Sequence, residues 1–258
     1  MQLDLTGKTA LVTGSGRGMG KATATELAEN GADIVVNDID DEVAEETAAE
    51  IADLGVDTVG IPADVSDEAA VQAMVETATE ELGQIDILVN NAGVGDAGPF
   101  LDEQYDDTFE LNLDVHLYGA LNCTRAVVDG MVEEGYGKIV NFTSIHTKNG
   151  VGMSPAYDVG KYSLLGLTKS LALELGREGV RVNAVAPGWA NTRMVEGFSD
   201  AVTEQIIDNN PLGRFAEPED VAQAVAFLAA PASDYVNGHE LRVDGGQVPI
   251  DSWRLDTR

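Results

Sequence analysis

Seven short runs rich in valine and isoleucine, separated by amphipathic stretches about a dozen residues long, most tightly constrain how this 258-residue chain can fold. Runs of four to eight apolar residues suit strands buried on both faces, and the intervening stretches suit helices that cover those faces. The pattern predicts strands at Thr9–Val12, Asp33–Asn37, Thr58–Pro62, Ile85–Val89, Lys138–Phe142, Val180–Ala186 and Glu240–Val243. Between them, stripes such as Ala24, Leu27, Ala28 and Leu164, Leu167, Leu171, Leu175 recur at helical spacing. The fold class expected is α/β: one doubly wound, seven-stranded parallel sheet with helices on both faces. No Pro/Ser-rich linker or repeat divides the chain, so residues 1–258 read as one domain. The longest departure from the alternation, Pro187 to Pro218, reads as a substrate lid near 188–217.

The first strand runs directly into Thr13-Gly14-Ser15-Gly16-Arg17-Gly18-Met19-Gly20. Glycines at 14, 18 and 20 let the backbone turn tightly and let a pyrophosphate approach a helix N-terminus, whose free N–H groups favour anions. This G-x-x-x-G-x-G spacing predicts a nucleotide loop with Arg17 and Met19 inside it. About twenty residues on, Asp38 closes the second strand, where a carboxylate accepts hydrogen bonds from ribose hydroxyls and repels a 2′-phosphate. NAD is therefore the expected cofactor, with NADP less favoured. Arg17 pulls the other way, because it can meet a phosphate. Asp64 and Val65 after the third strand, and Asn91, Ala92 and Gly93 after the fourth, fall at the same sheet edge, where such sheets bind ligands.

Tyr157 and Lys161 stand four residues apart, on one face of a predicted helix, with Ser144 thirteen positions upstream. A tyrosine titrates near pH ~10, and a neighbouring cation brings its phenolate toward the range of a general acid/base. Ser144 would hold the substrate oxygen. Tyr-x-x-x-Lys alone also describes an ordinary amphipathic helix, so the pair counts only in this context.

Charge limits the partners. Against 15 basic residues stand 45 acidic ones, a formal net charge of -30. Such a field repels nucleic acid and anionic lipid, so neither is an expected partner. Self-repulsion on this scale predicts a protein of a high-salt cytoplasm, where a Debye length of about 3 Å at 1 M removes most of it. A cytoplasmic location also fits the single cysteine, Cys123, and the lack of a basic-then-apolar segment in Met1 to Lys8. No run reaches the length of a membrane span. The three histidines, His116, His146 and His239, lack ligand spacing, so no metal site is expected.

Taken together, Thr13 to Gly20, Asn90 to Gly93, the Ser144, Tyr157 and Lys161 set, Pro187-Gly188 and Val243-Asp244-Gly245-Gly246 resemble the short-chain dehydrogenase/reductase family over nearly the whole chain. The resemblance implies a Rossmann-type domain that moves a hydride between a nicotinamide cofactor and a small-molecule alcohol or carbonyl substrate. It further implies that Pro187, Gly188, Ala190 and Thr192 border the nicotinamide, that Lys161 also holds the nicotinamide ribose, and that homotetramers are common. One position departs from the pattern: His116 falls where the family carries a catalytic asparagine that helps hold a proton relay. Either it takes over that relay, bringing its own titration into the pH profile, or it is a packing residue.

For the substrate, His146, Trp189 and Met194, with Phe198, predict a moderately apolar pocket suited to a secondary alcohol, polyol, sugar or acyl-thioester ketone. Ser154 stands where 3-hydroxybutyrate dehydrogenases of the family carry a carboxylate-binding lysine, which disfavours a small keto acid. The competing readings are an NADP-linked 3-oxoacyl-thioester reductase and a non-catalytic cofactor-binding module.

Overall fold

The computed structural model describes residues 3–95, 99–148, 154–195 and 197–248, apart from the side chain of Met194. The chain alternates as β1 (Thr9–Val12), α1 (Gly18–Glu29), β2 (Asp33–Asp38), α2 (Asp41–Ala52), β3 (Thr58–Pro62), α3 (Glu68–Leu82) and β4 (Ile87–Asn90). After β4 come α4 (Tyr105–Leu113), α5 (Gly119–Glu133), β5 (Gly137–Phe142), α6 (Pro155–Leu175), β6 (Val180–Pro187), α7 (Asp200–Asp208), α8 (Pro218–Ala229) and β7 (Glu240–Val243). All strand pairs are parallel, in the order β3-β2-β1-β4-β5-β6-β7. The expected strands are all present. Their limits shift by a residue or two: β4 starts at Ile87 rather than Ile85, and β2 and β6 run one residue further.

Because side chains alternate along each strand, the sheet builds two cores. On one face Ala10, Val12, Ile34, Val36, Val89 and Val140 pack with Leu27 of α1 and Val221 and Val225 of α8. On the other Leu11, Val35, Leu88 and Ile139 pack with Val71 and Met74 of α3 and Val127 and Met131 of α5. Cys123, the chain's single cysteine, is sealed in this second core. Burial pushes its thiol up to about 12.

The order reverses between β1 and β4, so connections leave in opposite directions and open a crevice at the carboxyl ends of the strands. Polar ties shape that crevice. Thr13 Oγ1 accepts from the amides of Asn91 and Ala92, both at 3.0 Å, and Asn91 Nδ2 donates to the Thr13 and Gly14 carbonyls at 2.8 and 2.9 Å. The turn after β4 is thereby fastened to the glycine loop. Between α4 and α5 the helix widens into a π turn at Asp114–Tyr118, which carries His116.

Candidate active site

The glycine loop is shaped to let a dinucleotide approach the backbone. A Cβ on Gly20 would stand 2.2 Å from the Gly14 carbonyl oxygen, so only glycine lets α1 start this close to β1. Gly18, at φ +56°, leaves its outer side open, with only the Thr192 methyl 3.7 Å from where a Cβ would sit. Asp40 and Asp67 cap α2 and α3, but α1 has no side-chain cap and no acidic residue in its first turn. Its free N–H groups and dipole thus face an open, glycine-lined cradle that suits a pyrophosphate.

Asp38, buried at the end of β2, accepts from the Gly16 amide at 3.1 Å and the Asp40 amide at 3.3 Å. This fixes its carboxylate beside the loop. Arg17 pairs with Asp40 at 3.4 Å, so its charge is partly answered by an acid. The Met19 side chain packs on the core, leaving its backbone to serve a ligand. Asp64 is exposed at the sheet edge and holds the Ser66 amide and hydroxyl, while the Val65 side chain is buried and its carbonyl accepts from Asn122 at 3.0 Å. Both lie where expected, but Val65 offers a ligand little beyond packing. Pro187 and Gly188 close β6 against Asp244: a Cβ on Gly188 would come within 2.9 Å of the Asp244 Cα. Trp189, Ala190 and Asn191 are then pinned to Ala216 by amide hydrogen bonds of 2.8 and 2.9 Å, which holds Thr192 over Gly18.

Ser144, Tyr157 and Lys161 converge where β5 and α6 meet. Ser144 follows β5 and starts a short 3-10 turn, its Oγ accepting from the His146 amide at 3.2 Å. Tyr157 and Lys161 lie in the first two turns of α6, both side chains directed at the same crevice. Burial pushes the Tyr157 phenol up, a hydrogen bond from Ser144 opposes that shift, and the Asp158 charge adds to it. Lys161 Nζ donates to the Phe142 carbonyl at 2.9 Å and lies 5.6 Å from the Tyr157 ring centroid. Burial lowers it to about 7. The net direction for the tyrosine is thus upward where a downward one was expected: both groups are desolvated, and Ser144 is the neighbour that favours the phenolate.

His116 is buried, edge-on to the Tyr157 ring at 5.4 Å, with Nε2 accepting from the Val94 amide at 3.2 Å. Its hydrogen therefore sits on Nδ1, which has no partner among the described residues. Burial first, then the Lys161 charge, hold it at about 2. His116 is accordingly neutral at any working pH, and the expected titration in the pH profile is corrected. It does stand at the site: a Cβ on Gly93 would meet His116 Nε2 at 2.9 Å and Lys161 Nζ at 3.5 Å.

On the remaining side, His146 stands edge-on to Tyr157 at 5.1 Å and to Trp189 at 6.2 Å, and Trp189 meets Phe198 at 5.4 Å. The Met194 side chain lies outside the described residues. Two participants were not expected from sequence: Asp158, whose carboxylate holds His146, and Glu240, whose carboxylate holds the Ser144 turn through Thr143 and Thr147. Asp158 is adjacent to Tyr157, and Thr143 and Thr147 stand on either side of Ser144, but only the fold brings Glu240 to them.

Residues 14–247 match the family model described as Enoyl-(Acyl carrier protein) reductase. At the level of whole sequences, the (2S)-[(R)-hydroxy(phenyl)methyl]succinyl-CoA dehydrogenase subunit BbsD of Thauera aromatica is 41% identical over 240 residues, covering 93% of this chain and 96% of its own. The chain belongs to the short-chain dehydrogenase/reductase family. Solved members of that family superpose closely. A gluconate 5-dehydrogenase from Burkholderia cenocepacia J2315, in complex with NADP and tartrate, has a TM-score of 0.91 at 36% identity, covering 95% of this chain and 97% of its own. A 7α-hydroxysteroid dehydrogenase complexed with NADH and 7-oxo glycochenodeoxycholic acid has a TM-score of 0.91 at 32% identity, covering 95% and 96%. As a short-chain dehydrogenase/reductase the chain is an NAD(P)-dependent oxidoreductase. Among the described residues no helix is long and apolar enough to cross a membrane.

Proposed function

We propose that the chain is an NAD-dependent dehydrogenase that interconverts a secondary alcohol and its ketone, of polyol, sugar or hydroxyacyl type. One observation carries this reading: the Ser144 hydroxyl and the Tyr157 phenol are hydrogen-bonded at the crevice edge, with Lys161 one helical turn behind. Two groups so placed can hold one substrate oxygen and move one proton. In the oxidative direction the Tyr157 phenolate takes the hydroxyl proton while Ser144 donates a hydrogen bond to the same oxygen, and in reduction the phenol returns the proton. A nicotinamide held by the glycine loop, Lys161 and Thr192 would supply or accept the hydride.

NAD is preferred because Asp38 is seated by the Gly16 amide where the adenosine ribose would lie, and a buried like charge repels a 2′-phosphate more than the Asp40-paired Arg17 attracts it. His116 serves as a neutral hydrogen-bonding and packing group behind Tyr157, its Nδ1–H being the part free to join a proton relay. Residues 188–217 form the lid, hinged where Trp189 and Asn191 bond Ala216. The same reading takes the protein as a cytoplasmic homotetramer. Exposed Tyr118, Val159, Tyr162 and Leu173 offer apolar surface for a second copy.

A screen of alcohols, polyols and sugars at molar KCl, with NAD and NADP in parallel and cofactor reduction as readout, tests the proposal. NAD-dependent turnover is expected, with kcat falling about 10²- to 10⁴-fold in Tyr157→Phe. Turnover only with NADP would reject the Asp38 argument. A Tyr157→Phe variant as active as the parent would reject the mechanism.

A further inference from the structure

We infer that Asn122 is a positioning residue for the adenosine half of the cofactor: from α5 it holds the turn after β3 where that turn borders a bound adenosine. The inference rests on the cofactor reading of the crevice given above and concerns binding alone.

β3 is the outermost strand of the sheet, so the chain leaving it at Pro62 has a strand neighbour on one side only. That neighbour holds the start of the turn. The Ala63 amide donates to the Asp38 carbonyl and Asn37 Nδ2 donates to the Ala63 carbonyl, both at 3.1 Å. Past Ala63 the support comes from α5: Asn122 Nδ2 donates to the Val65 carbonyl at 3.0 Å and lies 3.4 Å from the Ser66 carbonyl. A Cβ on Gly119, three residues earlier and on the same side of α5, would stand 2.6 Å from Val65 Cγ2. Glycine lets the helix close on the turn, and the asparagine then grips it. Asn122 and Val65 are both buried, so the Val65 carbonyl depends on this donor.

The turn matters for what it presents. Asp64 is exposed beside Asp38, whose register partner on β3 is Pro62, two residues before it. Asp64 Oδ1 accepts from the Ser66 amide and hydroxyl at 2.9 and 2.7 Å, while Oδ2 makes no hydrogen bond among the described residues. An open acceptor at the end of the strand next to that of Asp38 suits the exocyclic amine of a purine. Ala63 fixes the chain on one side of Asp64, and Asn122 fixes it on the other through Val65. The reacting groups Ser144, Tyr157 and Lys161 follow β5 or lie on α6, and Asn122 bonds none of them. Releasing the turn therefore weakens the bound cofactor equally before and during reaction, which raises KM and leaves kcat unchanged.

Calorimetric titration with ADP-ribose, which carries the adenosine and lacks the nicotinamide, reads this on cofactor-free protein in molar KCl. In Asn122→Leu, close in size but without a donor, the Kd is expected to rise about five- to tenfold, as for one buried hydrogen bond. Asn122→Ala, which adds no bulk, carries the same expectation should the leucine variant not fold, and Asn122→Gln, which keeps the amide, should recover part of the affinity. In turnover the KM for NAD should rise by a similar factor, with kcat at saturating cofactor within about twofold of the parent. A folded variant without the donor that melts lower yet binds ADP-ribose as tightly as the parent makes Asn122 structural only and overturns the inference, as does a kcat that falls with KM unchanged. A parent that binds neither ADP-ribose nor NADH would instead reject the cofactor reading, and this inference with it.

Discussion

At the scale of single residues, Tyr157, Lys161 and His116 are governed by desolvation more than by one another's charge. Lys161 has the clearest consequence. Its folded value of about 7 lies below the ordinary 10.5, so between those pH values the unfolded chain binds a proton that the folded chain has released. Stability therefore rises with pH across that window, and below about pH 7 both states are protonated and this group contributes no slope. Thermal midpoints of cofactor-free protein from pH 6.5 to 9.5, in molar KCl, are expected to climb relative to those of Lys161→Met. Parallel profiles for the two proteins would contradict the burial argument.

At the scale of elements, much was visible in advance. Strand positions follow from apolar runs, and the glycine loop, Asp38, Ser144, Tyr157 and Lys161 all fall at the one sheet edge that a doubly wound order creates. What stayed hidden depends on contacts between distant segments. Glu240, in β7, sends its buried carboxylate under the turn that follows β5. Oε1 accepts from Thr143 Oγ1 at 2.8 Å and Thr147 Oγ1 at 2.7 Å, and Oε2 pairs with Lys148 at 2.6 Å. The Ser144 carbonyl lies equally near Thr147 Oγ1, at 2.7 Å, so the single hydroxyl hydrogen is shared between that carbonyl and Glu240. Nothing local marks an acid in the last strand as the anchor of a serine nearly a hundred residues earlier. The widened turn at His116 was hidden for the same reason, since it reflects packing against Tyr157 and Gly160 rather than a sequence signal.

The anchor makes Glu240 a positioning residue. Glu240→Ala would remove the acceptor that draws two buried hydroxyls together, leaving them their backbone carbonyls alone and freeing the exposed Lys148, at a cost of about 1–2 kcal/mol. Chemical denaturation is expected to show that loss, with kcat reduced more than KM is raised, and Glu240→Gln should recover part of both. A variant of unchanged stability would show that the turn holds without its anchor.

At the scale of the whole molecule, charge dominates. A net charge of -30 is spread over helix faces such as α2, where Asp41, Glu42, Glu45, Glu46 and Glu50 are all exposed. Like charges at this density oppose the compact state, and salt relieves the opposition. The melting temperature should therefore rise steeply between dilute buffer and molar KCl. Less rise is expected in a variant with several α2 acids changed to glutamine, and a flat salt response in the parent would remove the case for a high-salt habitat.

The sealing of Cys123 has a practical corollary. A thiol raised to about 12 and closed off from solvent carries almost no thiolate under ordinary labelling conditions, so the native chain is chemically silent toward maleimides. A cysteine introduced at the exposed Ser199, within the segment assigned here as the lid, would then be the sole reactive thiol. A dye placed there would report whether that segment moves during turnover, with no native residue to remove first.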